Sequence, residues 1–167
     1  KGPMGPTRLA LTKPVIAAIS GPAVAGGMEL ALWCDLRVME ESAYMGVYCR
    51  RWGVPLIDGG TVRLPRIVGH GRAMDLILTG RQVDSAESLA IGLTNRVCAD
   101  GAALQTALEL ARDLTKFPQD CMRADRSSAI AQWSLDPADA LVREWQSAQP
   151  FKSEGGAGAA RFASGKG

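Results

Sequence analysis

Gly26, Gly27 and Glu29, in the stretch AVAGGMELALWCD, are the residues whose types and spacing point most directly to chemistry. Glycine inside a helix costs about 1 kcal/mol relative to alanine, so a pair ahead of an apolar helix serves backbone access rather than propensity. Upstream, KPVIAAIS is an apolar run too short for a helix and bounded by Pro14 and Gly21; it reads as a buried parallel strand. Strand, glycine turn and helix together aim unpaired N–H groups at an anion or a polarised oxygen. A plainer alternative stands beside this one, a glycine turn that merely joins strand to helix. On the same residues alone, Glu29 reads as a first-turn acid favoured by the helix dipole by only ~0.3–1 kcal/mol.

The elements that must hold these residues follow in order. The helix runs from about Gly27 to Cys34, and DLRVME and SAYMGV then read as short strands. RRWGVPLIDGGTVRLPRIVG carries Pro55, Gly59, Gly60, Pro65 and Gly69, which break any long element and predict a functional loop with a short helix in it. GRAMDLILTG reads as a helix closed by Gly80, and VDSAESLAIGL starts with Asp84 or Ser85 as N-cap and Glu87 near the third position. TNRVCAD is a final strand. From Ala102 the pattern is helical: ALQTALELARDLTKF has apolar residues at 103, 104, 107, 108, 111 and 114 and stops before Pro118. CMRADRSSAIAQW follows, then DPADALVREWQSA with Asp136 as cap and Pro137 at the first helical position. The tail EGGAGAARFASGKG is rich in glycine and alanine and offers one last helical turn at AARFA.

Composition narrows the classes. The 167 residues make one domain or part of one, and 47% apolar against 22% charged residues can bury a sizeable core. A formal net charge of +2, with the 19 basic residues scattered, argues against a polyanionic partner, and no nucleic-acid motif is present. Cys34, Cys49, Cys98 and Cys121 form no CxxC pair, and with a single histidine no metal site is expected. The thiols read as reduced cytosolic side chains, which points to a cytoplasmic protein, although targeting is not legible in the opening KGPMGPTRL. No apolar run approaches membrane-spanning length.

KPVIAAISGPAVAGGMELALWCDLRV, followed by IDGGTVRLPRIVGHGRAMDLILTGRQVDSAESLAIGLTNRV, resembles the crotonase, or enoyl-CoA hydratase/isomerase, superfamily. The likeness is strong over residues 13–97 and looser beyond, with several motifs in order at family spacing. It implies an α/β fold: residues 1–100 as the C-terminal part of a ββα-spiral core, residues 101–167 as a helical trimerisation region. Family members carry a further N-terminal segment, so the resemblance implies that this chain is the C-terminal part of a protomer.

What the family shares is stabilisation of a thioester enolate by two backbone N–H groups. Gly26 matches the second donor; a missing Cβ lets the carbonyl oxygen approach, and the positive helix end favours the charge. Val24, Ala25 and Gly27 would line the substrate beside it. Glu29 matches the glutamate that holds the water added across the double bond. Twenty residues on, where hydratases carry a second glutamate, stands Cys49. A thiol is a weak acceptor and is mostly protonated at neutral pH, although Arg50 and Arg51 could lower its pKa. Cys49 therefore reads as a pocket-lining residue, and hydration loses one carboxylate. Asp58 in PLIDGGT lies close to a catalytic aspartate of the family's dienoyl-CoA isomerases; its plain alternative is an N-cap for a helix beginning near Gly59–Thr61. Trp52, Pro55 and Leu56 read as acyl-pocket lining or core.

Arg63 and Arg66 resemble a stretch that packs the short helix, with charges that pair locally. His70 reads as a surface residue at a helix start, and Met28, Met39, Met45 and Met74 as core filler. Arg161, Phe162 and Lys166 lie where members use a C-terminal helix that reaches a neighbour's CoA. The resemblance thus implies an acyl-CoA thioester as substrate, no separate cofactor, and a homotrimer or dimer of trimers. The expected activity is enoyl-CoA hydration; the alternatives are isomerase, acyl-CoA hydrolase, or a non-catalytic acyl-CoA-binding protein.

Overall fold

The computed structural model describes residues 2–165, and the chain divides into two compact units, Lys1–Ala111 and Arg112–Gly167. The first unit holds six short strands in two three-stranded sheets. Strands β1 (Ile16–Ile19), β3 (Leu36–Glu40) and β6 (Arg96–Cys98) form one parallel sheet in the order β1-β3-β6, with Ile16 opposite Leu36 and Val38 opposite Arg96. In the other, β2 (Pro22–Val24) pairs parallel with β4 (Tyr44–Gly46), and β4 pairs antiparallel with β5 (Gln82–Asp84). The chain thus steps from one sheet to the other across Ser20 and Gly21, and again between β3 and β4, before each excursion into helix. This is the ββα layout expected.

Strand β1 is parallel as expected but only partly covered: among the described residues it pairs with β3 alone, Ile19 is fully buried and Ala18 is exposed. The buried strand is β3, paired on both sides and covered from Arg37 to Glu40. Apolarity alone does not tell how far a strand is covered; its neighbours do.

Helix α1 (Gly26–Trp33) buries Met28, Glu29, Ala31 and Leu32, so it packs on more than one face, against β2 and the helix that starts at Gly60. Its far end is tied by Arg37, a buried guanidinium that donates to Cys34 O at 2.7 Å, Ala31 O at 3.3 Å and Leu93 O at 2.7 Å. A cation on the last carbonyls complements the helix's negative end. Met28, Met39 and Met45 lie in the core with Leu64, Leu76, Val83 and Leu93, whereas Met74 is half-buried.

Three further helices differ from expectation or refine it. Pro65 sits inside α2 (Gly60–Val68) rather than breaking it. The carbonyl deprived of a partner belongs to exposed Thr61, where water can serve. Helix α3 (His70–Thr79) opens on exposed His70 and is closed by Gly80 at φ 60°, a left-handed position suited to glycine. Asp84 caps α4 (Ser85–Ala90), accepting from Glu87 N at 2.8 Å.

The unit boundary falls within α5 (Ala103–Thr115). The second unit contains α6 (Gln119–Ala131), α7 (Pro137–Ala148) and α8 (Lys152–Ala163). Asp136 caps α7 through Ala138 N and Asp139 N, both at 3.0 Å. Helix α8 spans twelve residues where the sequence suggests one turn at AARFA. Glycines at 155, 156 and 158 depress intrinsic propensity, and docking overrides it: the Glu154 carboxylate accepts from Cys121 N on α6 at 2.9 Å. Arg161 and Phe162 are exposed on α8, and Lys166 lies outside the described residues. Among the described residues, no helix is long and apolar enough to cross a membrane.

Candidate active site

Ala25 is the conformational oddity of the fold. At φ 53°, ψ −124° it is the sole described non-glycine residue with positive φ, and it immediately precedes α1. Such a conformation costs about 1–3 kcal/mol and persists only where neighbours impose it. Here the Ala25 N–H is bound to Gly46 O at 2.9 Å, and the next helical bond runs from Glu29 N to Ala25 O at 3.1 Å. The N–H groups of Gly26, Gly27 and Met28 therefore have no acceptor in the described protein, as the first turn of a helix requires. Gly26 and Gly27 are half-buried. A Cβ on Gly26 would stand 3.0 Å from Met4 Sδ, so glycine at this position lets the Met4 thioether close over the helix start.

Glu29 is 3% exposed and points toward the start of α2. Its Oε1 accepts from Asp58 N and Gly60 N, each at 2.8 Å, while Oε2 has no protein donor among the described residues. One oxygen is thus fixed by two amides and the other left for something else. A Cβ on Gly60 would come within 3.0 Å of Glu29 Oε1, so this glycine is needed for the close approach. A first-turn dipole role for Glu29 on its own helix does not describe this arrangement: the carboxylate serves the N-terminus of a different helix.

Cys49 is buried in a 3-10 turn, Tyr48–Trp52. Burial pushes its thiol pKa up, and the Glu29 charge adds in the same direction, outweighing the backbone N–H groups and Arg50. The thiol therefore stays protonated at neutral pH. Arg51 does not activate it, being bound to Gly80 O at 3.0 Å and stacked 3.6 Å from the Tyr48 ring centroid.

Asp58 is buried, and its side chain does not cap α2; the N-cap is Gly59 at φ 99°, with no side-chain bond. The aspartate turns the other way instead. Its Oδ1 accepts from Met4 N at 3.0 Å and from the Thr7 hydroxyl at 2.5 Å. Burial alone would raise its pKa, but these donors and the charges of Arg8 and Arg63 outweigh it and hold the carboxyl below its ordinary value. Arg63 bridges the same two segments, donating to Asp58 O at 2.8 Å and Thr7 O at 2.6 Å.

The remaining expected lining residues separate. Val24 and Leu56 are half-buried, Leu56 against the core, while Pro55 is exposed. Trp52 is 82% exposed and is not core, because the 3-10 turn carries it outward from the sheet. A groove of about 400 Å³ runs between β1, the β1–β2 turn and α1 and includes Gly27 but neither Gly26 nor Glu29. Among the described residues no group of three or more His, Cys, Asp or Glu side chains could hold a metal. Sequence reasoning missed Met4, Thr7 and Gly60. Gly60 was visible as the second of a glycine pair; Met4 and Thr7 lie more than fifty residues from their partner, with no local signal.

An unpaired helix start beside a buried, amide-held carboxylate, on two small sheets linked by ββα steps, defines a protein of the crotonase class. Residues 8–160 match the enoyl-CoA hydratase/isomerase family, and the chain belongs to that family. It is 44% identical over 117 residues to enoyl-CoA hydratase EchA19 of Mycobacterium tuberculosis, an alignment covering 66% of this chain and 44% of that protein. Its fold is similar to a crystal structure of enoyl-CoA hydratase from M. tuberculosis H37Rv, with TM-score 0.90 and 31% identity over 96% of this chain and 64% of that one. A crystal structure of enoyl-CoA hydratase from Bacillus anthracis gives TM-score 0.88 and 32% identity over 93% and 61%. The chain thus spans less than two thirds of the length of these proteins.

Proposed function

We propose that the protein acts on acyl-CoA thioesters by stabilising a thioester enolate, with enoyl-CoA hydration as its reaction. The observation that carries this is the pairing of unbonded N–H groups at the start of α1 with the half-satisfied carboxylate of Glu29. The Gly26 N–H polarises the thioester carbonyl, and one such donor is worth ~3 kcal/mol in the transition state. Glu29, held through Oε1, uses Oε2 to position water or to move a proton at the carbon α or γ to that carbonyl. CoA belongs to the substrate and no separate cofactor is needed. Asp58 was the candidate partner carboxylate, but both of its contacts through Oδ1 lie on residues 4–7 rather than toward Glu29.

A second reading is favoured by Cys49. A protonated, buried thiol beside Glu29 cannot share the holding of a water as a second carboxylate would, and a single carboxylate suits a proton shuttle. That is the enoyl-CoA isomerase reading. Turnover of a trans-2-enoyl-CoA and a 3-enoyl-CoA, in wild type and Glu29→Gln, separates the two. Hydration predicts the first as the better substrate and isomerisation the second; unchanged rates in Glu29→Gln would remove Glu29 from either. Absence of turnover together with absence of solvent exchange at the α-carbon would leave acyl-CoA binding alone.

We also infer assembly as a homotrimer or dimer of trimers. Exposed Trp133, Leu141, Val142, Trp145 and Phe162 in the second unit supply apolar faces for it. Sedimentation velocity across a concentration series tests the assembly.

A further inference from the structure

Residues 2–8 are tied to the loop before α2 by more bonds than a surface segment needs. Asp58 Oδ1 takes Met4 N and the Thr7 hydroxyl; Arg63 joins Asp58 O to Thr7 O; Arg8 donates to Ile57 O at 2.7 Å. Gly2 is seated so closely that a Cβ would lie 2.5 Å from Thr7 Oγ1 and 2.8 Å from Asp58 Oδ1. The same loop sends its Asp58 and Gly60 amides the opposite way, to Glu29. Asp58 therefore stands between two things: its backbone holds the carboxylate of the site, and its side chain holds the segment whose Met4 thioether lies on Gly26.

We propose that Asp58 is a positioning residue that latches residues 2–8 across the site, so that Met4 forms the wall over the Gly26 amide, and that it transfers no proton itself. The proposal rests on the acyl-CoA reading for its catalytic consequence, but the latch is a separate physical fact. Met4 is unbranched and 42% exposed, so unlatched it would move readily and the wall would soften. The wall's position decides how bulky an acyl group can be when its carbonyl reaches the Gly26 N–H.

Three single variants and one double variant test this. Asp58→Asn keeps an acceptor oxygen for Met4 N–H and Thr7 but cannot act as a general base; kcat is expected within about threefold of wild type. Asp58→Ala and Met4→Ala should each shift the kcat/KM ratio between a C4 enoyl-CoA and a longer or branched one by about tenfold, in the same direction. The double variant should shift it no further than either single one, because both changes remove the same wall. A loss of about 10²-fold or more in kcat for Asp58→Asn, with Met4→Ala unchanged in selectivity, would overturn the latch and restore proton transfer. Amide hydrogen exchange at Met4 decides the latch without any turnover. Protection should be kept in Asp58→Asn and lost in Asp58→Ala, and equal protection in both would sink the proposal. If the wild type turns over no acyl-CoA, the functional reading fails while this exchange result still stands.

Discussion

The two units of the chain solve the problem of burial differently. Residues 1–111 interleave two sheets with short helices and enclose Met28, Met39, Met45, Leu64, Leu76 and Leu93 almost completely. Among the described residues of 112–167 no side chain is fully buried, and Trp133, Leu141 and Trp145 are more than half exposed. The first unit can therefore hold a strained residue such as Ala25 and a buried carboxylate such as Glu29 in fixed geometry. The second has helices with exposed apolar faces, of which only α7 carries a side-chain cap, and such faces are the condition of an element that expects a partner. The proposed chemistry uses residues of the first unit, and the proposed assembly uses the exposed faces of the second.

Substitutions sharpen or break that contrast. Glu29→Gln should cost about 10²–10⁴-fold in kcat, since the amide keeps the two backbone bonds but cannot take a proton. Steady-state turnover with folding checked by circular dichroism reads it. Met39→Ala or Leu76→Ala in the first unit should destabilise by about 2–5 kcal/mol in denaturant unfolding. Leu141→Ala and Trp145→Ala in the second should instead lower the sedimenting mass and make thermal stability depend more steeply on protein concentration. If they destabilise a monomer as strongly as Met39→Ala does, the contrast between the units is wrong.

Smaller effects lie nearer the surface. Ala25→Gly relieves a conformation that glycine adopts freely, against an added entropy cost in the unfolded chain; a net gain of about 1 kcal/mol is expected in thermal unfolding. Stabilisation without loss of turnover would show that the shape of this residue, not its side chain, matters. Arg81 bridges Asp75 at 2.7 Å and Glu87 at 2.5 Å between α3 and α4, and Arg81→Ala should cost only ~0.2–1 kcal/mol because the groups are part-exposed. The hydrogen bonds from Arg81 hold the Glu87 carboxyl below its ordinary value, against burial. The stabilisation is therefore present above the ordinary carboxylate range and is lost as pH falls through the depressed value. The difference between wild type and Arg81→Ala should shrink in acid unfolding.

Much of this was legible in the chain itself because the signals are local. The glycine pair before an apolar helix, the Asp84 and Asp136 caps, Gly80 at a helix end and the apolar stripe of α5 each lie within a turn or two of what they govern. Cys49 at the place where the family's hydratases carry a second glutamate was equally plain, whereas burial of its thiol was not. Illegible were the facts that depend on pairing over long separations. How far β1 is covered, that β2 and β5 exist at three residues each, and that Pro65 is tolerated inside α2 depend on neighbours the local pattern does not name.

The division is sharpest at two carboxylates. Residue type and spacing determined that Glu29 would stand in the first turn of its own helix and that Asp58 would sit beside a glycine pair, since a helix's period and a turn's backbone fix both. Only the tertiary structure decided what each carboxylate does, because its partners come from elsewhere in the chain: Gly60 amide for one, Met4 and Thr7 for the other. Hydrogen bonds that close loops of some thirty to fifty residues depend on how the whole core folds, and no window of sequence contains that.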